Sequence, residues 1–173
     1  MNIVLLGYRG AGKSTIARWL VKLLKRELFD IDAMIARSAG MPIPQIVSQK
    51  GWAHFRALEA EIVRRVAGDA QDAIIDCGGG VVLNPDNISA LRKTGKTALL
   101  TASFESILKR IKKNPNRPPL KEGVSFEEEQ RLVLEEREPL YRAAADMVCD
   151  TSLIASEKTA REIIGYFAER GWI

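Results

Sequence analysis

The feature that most constrains this chain is Gly7-Tyr8-Arg9-Gly10-Ala11-Gly12-Lys13-Ser14-Thr15, which follows the apolar run Ile3-Val4-Leu5-Leu6. It has the spacing G-x-x-x-x-G-K-[ST], with a buried strand before it and an amphipathic helix after it. Glycines in such a loop let successive backbone N–H groups converge on a phosphate, and the following helix adds its N-terminal dipole. Lys13 is the residue that reaches terminal phosphates, and the Ser14 hydroxyl is a ligand for Mg²⁺. A glycine-rich turn that binds nothing lacks this combination of strand, full spacing and helix. The chain is therefore expected to bind a nucleoside triphosphate.

A length of 173 residues suits one α/β domain with a proper core. The net charge of +4 is modest, and arginines serving phosphates account for it as well as a nucleic-acid partner does. No stretch approaches a membrane span and no signal peptide precedes the first strand, so a cytoplasmic protein is expected. Cys77 and Cys149 end apolar runs and read as reduced core residues. His54 is the only histidine, which argues against zinc.

Hydrophobic spacing predicts a helix over 12–26, in which Ile16, Leu20, Leu23 and Leu24 share a face. A short strand, Leu28-Phe29, runs into Asp30. Residues 32–68 carry helical patterns broken at Gly40, Pro42, Pro44 and Gly51, and read as an all-helical insertion. Strands follow at 73–76, 97–100 and 147–149, separated by helices at 86–93, 104–112 and 125–141, with a last helix behind. That alternation means a parallel sheet covered on both faces. The domain divides into a core (1–31, 69–111 and 124–173), the insertion 32–68, and a lid at about 112–123.

Several residues could carry chemistry. Asp30 and Asp32 sit where the second strand should open onto the phosphate site, suited to hold Mg²⁺ through water or to accept a proton from a hydroxyl. Asp32 is also a plausible cap for the next helix. Asp76 ends an apolar strand and is a second candidate for the metal's outer shell. Gly78, Gly79 and Gly80 suit close approach of backbone to a ligand, a plain turn being the alternative. Arg56 and Glu59, three apart, read on spacing alone as a surface ion pair. Arg117, in a proline-bounded basic segment, suits a lid that closes over a triphosphate. Arg110 reads as a solvated arginine, Arg137 as the end of a charged helix before Pro139, and Trp19, Trp52 and Trp172 as packing residues.

In this order, the phosphate loop, Phe29-Asp30-x-Asp32, Phe55-Arg56-x-x-Glu59, the triple glycine, Arg117-Pro118 and Arg137-x-Pro139-Leu140-Tyr141 resemble the shikimate kinase family over nearly the whole chain. The resemblance implies a three-layer α/β fold of the P-loop kind, with a five-stranded parallel sheet ordered 2-3-1-4-5, a helical substrate-binding insertion and a lid. It implies ATP-dependent phosphorylation of the 3-hydroxyl of shikimate, with Mg²⁺, on the route to aromatic amino acids. Lys13, Asp32 and Arg117 would then be catalytic, Asp32 as base. Gly10, Ala11, Gly12, Lys13, Ser14, Thr15, Arg110 and Arg117 would bind ATP. Asp32, Arg56, Gly78, Gly79, Gly80 and Arg137 would bind shikimate, the two arginines clamping its carboxylate. Ser14 would ligate the metal and Asp30 would hold it through water. Trp52, where the family often has an acidic residue, and Cys77, where it commonly has threonine, depart from the pattern. The implied partners are shikimate and ATP, without nucleic acid or membrane, in a monomer.

Two alternatives remain at this point. A sugar-acid kinase of the gluconate type would also want a carboxylate clamp. A GTP-binding switch would use Asp76-Cys77-Gly78-Gly79 as its D-x-x-G, but no N-K-x-D is present to read guanine.

Overall fold

A computed structural model describes residues 1–113 and 123–173. Five parallel strands run β1 (Asn2–Leu6), β2 (Leu28–Asp30), β3 (Ile74–Asp76), β4 (Gly95–Thr101) and β5 (Met147–Asp150). They lie in the order β2-β3-β1-β4-β5, the order expected from the resemblance. The helices are α1 (Lys13–Leu24), α2 (Ile31–Ala39), α3 (Ile43–Asp69), α4 (Pro85–Thr94), α5 (Phe104–Lys112), α6 (Phe126–Ala144) and α7 (Ser156–Glu169). The expected lid arginine, Arg117, lies outside the described residues.

Strand alternation decides the layers, because successive side chains leave a strand on opposite faces. Val4 and Leu6 of β1 join a core with Ile62, Val63 and Val66 of α3 and Leu91 of α4. Ile3 and Leu5 face the other way, onto Ile16 and Leu20 of α1 and Ile163 and Phe167 of α7. Both faces of the sheet are thus buried, as a parallel sheet requires.

Gly40 closes α2 in a left-handed conformation, and its N–H reaches the carbonyls of Ala36 and Arg37. Pro44 lies in the first turn of α3, where its missing N–H costs no helical bond, so it starts that helix instead of breaking it. Gly51 is non-helical inside α3 and marks a kink. The helix expected to stop near Tyr141 continues through Pro139 to Ala144. Its inner face, with Val133, Tyr141 and Ala144 buried, outweighs the lost bond at the proline.

Phe167 is fully buried and meets Trp172 edge to face, ring centroids 5.2 Å apart. Phe167→Ala should cost roughly 3–5 kcal/mol. Equilibrium urea unfolding checks this, and a loss under about 1 kcal/mol would show that the α1–α7 face can collapse around the gap.

Candidate active site

The phosphate loop links β1 to α1. Gly10 (φ 80°) and Gly12 (φ 94°) hold left-handed backbone, which bends the chain back over the helix. Gly12 is the N-cap of α1, no side chain caps that terminus, and no acidic residue stands in its first turn. The N-terminal dipole of α1 thus meets no competing side chain, although the Thr15 N–H donates to Gly12 O at 3.2 Å. Lys13 arches back over the loop, its Nζ donating to the carbonyls of Gly7 (2.8 Å) and Tyr8 (3.2 Å). Its side chain is almost wholly buried, so its charge is poorly screened. Ser14 and Thr15 are exposed at the mouth. Behind the loop, Arg110 of α5 donates to Gly10 O (3.0 Å) and to Thr151 O (2.7 Å), and Thr151 Oγ1 donates to Ala11 O (2.8 Å). Arg110 is therefore a buttress of the loop rather than the solvated arginine its sequence context suggested.

Strand register brings the acidic residues to the same edge. Asp30 pairs with Asp76, and Asp76 with Leu5, at the carboxyl ends of β2, β3 and β1. Asp30, not Asp32, caps α2, accepting from the N–H of Ala33 at 3.0 Å. Asp32 then projects from the first turn of α2 toward Gly78, where a Cβ would lie 2.5 Å from its Oδ1. Asp76 is buried beside Lys13 and Ser14. Burial holds its carboxyl above the usual range, the charges of Asp30 and Asp32 add to the rise, and Lys13 and a hydrogen bond from Ser14 oppose it.

Next to this edge opens a cleft of about 320 Å³ between α2, α3, the triple glycine and α6. The triple glycine is explained by what crowds it. A Cβ on Gly80 would run into the Arg56 guanidinium, and one on Gly78 into Asp32. None of the three has a positive φ; what they supply is room for other side chains. Arg56 pairs with Glu59 at 2.7 Å, but Glu59 is only 1% exposed, so this is a wall of the cleft and not the surface pair that spacing suggested. Burial raises the Glu59 carboxyl against the pull of Arg56. Arg137 of α6 donates to Gly79 O (3.0 Å), and the Tyr141 hydroxyl donates to the same oxygen. Among the described residues, Arg137 Nε and Glu59 Oε1 are buried polar atoms without a hydrogen-bond partner. Such atoms are costly unless something else engages them.

Asp32, Arg56, Gly78, Gly79, Gly80 and Arg137 therefore line one cleft, although they come from four separate parts of the fold. Residues not singled out as site residues line it too. Trp52 faces Phe55 edge to face at 5.6 Å and lies 5.4 Å from the Arg56 guanidinium, so it is a cleft wall as well as a packing residue. Tyr8 and Arg9 of the phosphate loop also reach the cleft. Their position inside the loop motif was the available signal, but the motif leaves those positions open.

The shikimate kinase family model matches residues 9–168. The shikimate kinase of Pelotomaculum thermopropionicum is 39% identical over 172 residues, covering 99% of this chain and 98% of the relative. The chain belongs to the shikimate kinase family. A second relative, the shikimate kinase of Caldicellulosiruptor bescii, is also 39% identical, over 163 residues that cover 94% of this chain and 93% of that one. Among solved structures, shikimate kinase from Acinetobacter baumannii in complex with shikimate superposes with a TM-score of 0.91 at 32% identity. That match covers 98% of this chain and 93% of that one. Among the described residues no helix is long and apolar enough to cross a membrane.

Asp76 yields a test with a defined sign. Its folded-state pKa is raised, so the folded form holds its proton more tightly than the unfolded chain. The destabilisation starts as pH rises through the unfolded carboxylate value, about 3.9, and is complete above the raised value. Asp76→Asn should therefore raise the ligand-free melting temperature at pH 8, and the gain should vanish as pH falls toward about 4. Scanning calorimetry across that range checks it; an unchanged or lower value at pH 8 would contradict the sign.

Proposed function

We propose that this cleft transfers the terminal phosphoryl group of ATP to the 3-hydroxyl of shikimate, held by Arg56 and Arg137. The overall reaction, ATP-dependent phosphorylation of shikimate as a step toward aromatic amino acids, follows from family membership. The observation that carries the residue-level reading is the convergence of two guanidiniums, one with a buried unpaired nitrogen, on a cleft whose Asp32 feels the charge of Asp76, which in turn stands beside Lys13 of the phosphate loop. Planar guanidinium forks suit a carboxylate, and a pair of them around a cleft suits a small acid with hydroxyls opposite.

ATP would lie along the phosphate loop, with Gly10, Ala11, Gly12, Lys13, Ser14 and Thr15 around its phosphates and Arg110 toward its base. On binding, Lys13 exchanges the carbonyls of Gly7 and Tyr8 for phosphate oxygens. Asp32, beside Gly78, is the base that accepts the hydroxyl proton. Phosphoryl transfer asks for alignment and charge stabilisation more than covalent help, which fits a site of fixed cations. Arg117, by resemblance alone, would add charge over the transferring group.

The acidic edge suits Mg²⁺. Ser14, Asp30 and Asp76 offer oxygen donors; burial is the main reason the Asp76 carboxyl is raised, repulsion from Asp30 and Asp32 adds to it, and a divalent cation would offset both. Ser14 would ligate the ion, with Asp30 and Asp76 holding its waters. When bound, the ion neutralises charge on the phosphates.

The division of the chain extends the same reading: α2 and α3 form the acceptor-binding insertion on a nucleotide-binding core. A monomeric enzyme is part of the same proposal. The free, buried Cys77 and Cys149 suit a cytoplasmic one. Family membership favours neither the gluconate-type kinase nor the GTP switch.

The test is ADP release with shikimate and gluconate in parallel. Shikimate should support turnover and gluconate should not. Asp32→Asn should keep the melting temperature and lose about 100-fold or more in kcat. Wild-type turnover in that variant would remove Asp32 from the role of base.

A further inference from the structure

Beyond the clamp and the phosphate loop, the described residues hold a buried polar cluster that joins them. Gln130 of α6 is fully buried, and its Oε1 accepts from the Tyr8 hydroxyl at 2.8 Å and from Arg9 Nε at 2.6 Å. Gln130 Nε2 donates to Glu129 Oε2 at 2.6 Å, and that carboxylate stands 3.6 Å from the Arg9 guanidinium. Phe126, at the start of α6, lies under the same guanidinium at 5.7 Å. Side chains of Arg9 and Glu129 are only 9% and 4% exposed. A surface arginine on a loop would not be so enclosed; this one is built in.

Two features point to a role in the reaction. Arg9 lines the acceptor cleft, and its guanidinium is fixed on α6. Gln130, Arg137 and Tyr141 are seven and four residues apart, which sets them along one face of α6. At one end that face grips Tyr8 and Arg9; at the other it grips Gly79. Tyr8, whose hydroxyl Gln130 fixes, also offers its carbonyl to Lys13. The backbone nitrogen of Arg9 lies 3.3 Å from where a Cβ on Gly79 would stand, so loop and glycine strap abut there.

We propose that Arg9 and Gln130 are positioning residues for the transfer. Resting on the shikimate reading above, they register the phosphate loop against the acceptor clamp through α6, so that donor and acceptor are set by one rigid element. Neither touches the reacting atoms through this bond. What they contribute is alignment, and a misplacement of about 1 Å is enough to cost turnover heavily.

Arg9→Met keeps the apolar stem and removes the head, leaving the Tyr8–Gln130 bond intact. Steady-state kinetics with shikimate and ATP should show kcat down about tenfold with the KM for shikimate within about twofold of wild type. Combining it with Gln130→Met should cost less than the product of the two single effects, because both break one bond. Turnover of Arg9→Met within about twofold of wild type, a rise in KM at unchanged kcat, or fully multiplicative effects would each overturn the proposal. Gln130 is wholly buried; if its variant does not fold, the kcat and KM of Arg9→Met decide alone. Wild-type enzyme runs beside the variants: failure of wild type on shikimate strikes the substrate reading, whereas an active Arg9→Met strikes only this one.

Discussion

The site depends on the volume left free by the missing side chains of Gly78 and Gly80. Into it come the guanidinium of Arg56 from α3 and the carboxylate of Asp32 from α2. The strap between them is held from α6 by Arg137 and Tyr141, both donating to the Gly79 carbonyl. Three chain segments remote in sequence thus meet at the end of β3. Any Cβ at position 80 would push Arg56 out of the cleft before it disturbed the sheet.

That arrangement concentrates charge in poorly solvated surroundings. Lys13, Glu59, Asp76 and Arg137 are each buried to nine-tenths or more. Buried charges of this kind weaken the ligand-free fold unless partners satisfy them. Some partners are internal, such as Arg56 for Glu59 and Ser14 for Asp76. Others are lacking among the described residues, as at Arg137 Nε. Under the proposed function, the acid's carboxylate and the nucleotide's phosphates with their metal would supply the missing complement, so stability withheld from the empty protein would return as binding energy. Low dielectric around those same groups strengthens each contact made there.

The parallel sheet was legible because it writes itself as short apolar runs between amphipathic helices; its strand order, β2-β3-β1-β4-β5, came through the resemblance. The site was legible in part. Asp32 and the glycines were candidates from their places at strand ends, whereas Arg56 and Arg137 became candidates only through the resemblance. Spacing alone gave Arg56–Glu59 as a surface pair, since a separation of three looks the same whether that helix face meets water or a cleft. Arg110 misled for a similar reason: its partners, Gly10 and Thr151, lie 100 and 41 residues away. The Arg9–Gln130 bond joins residues 121 apart, and no local pattern announces it. Pro139 looked like a helix end, yet packing of Tyr141 and Ala144 carries α6 past it.

The proposed clamp sets the buried Arg137 guanidinium and the partly exposed Arg56 guanidinium around a carboxylate, and changing only that group on the ligand tests it most directly. Calorimetric titration of wild-type enzyme with shikimate and with its methyl ester removes the negative charge while keeping the ring and hydroxyls. The account predicts that the ester binds about 100-fold more weakly or worse, in keeping with the few kcal/mol lost when one partner of a buried charge pair is removed. Affinities within a few-fold of each other would mean that Arg56 and Arg137 do not grip the acid, and would contradict it.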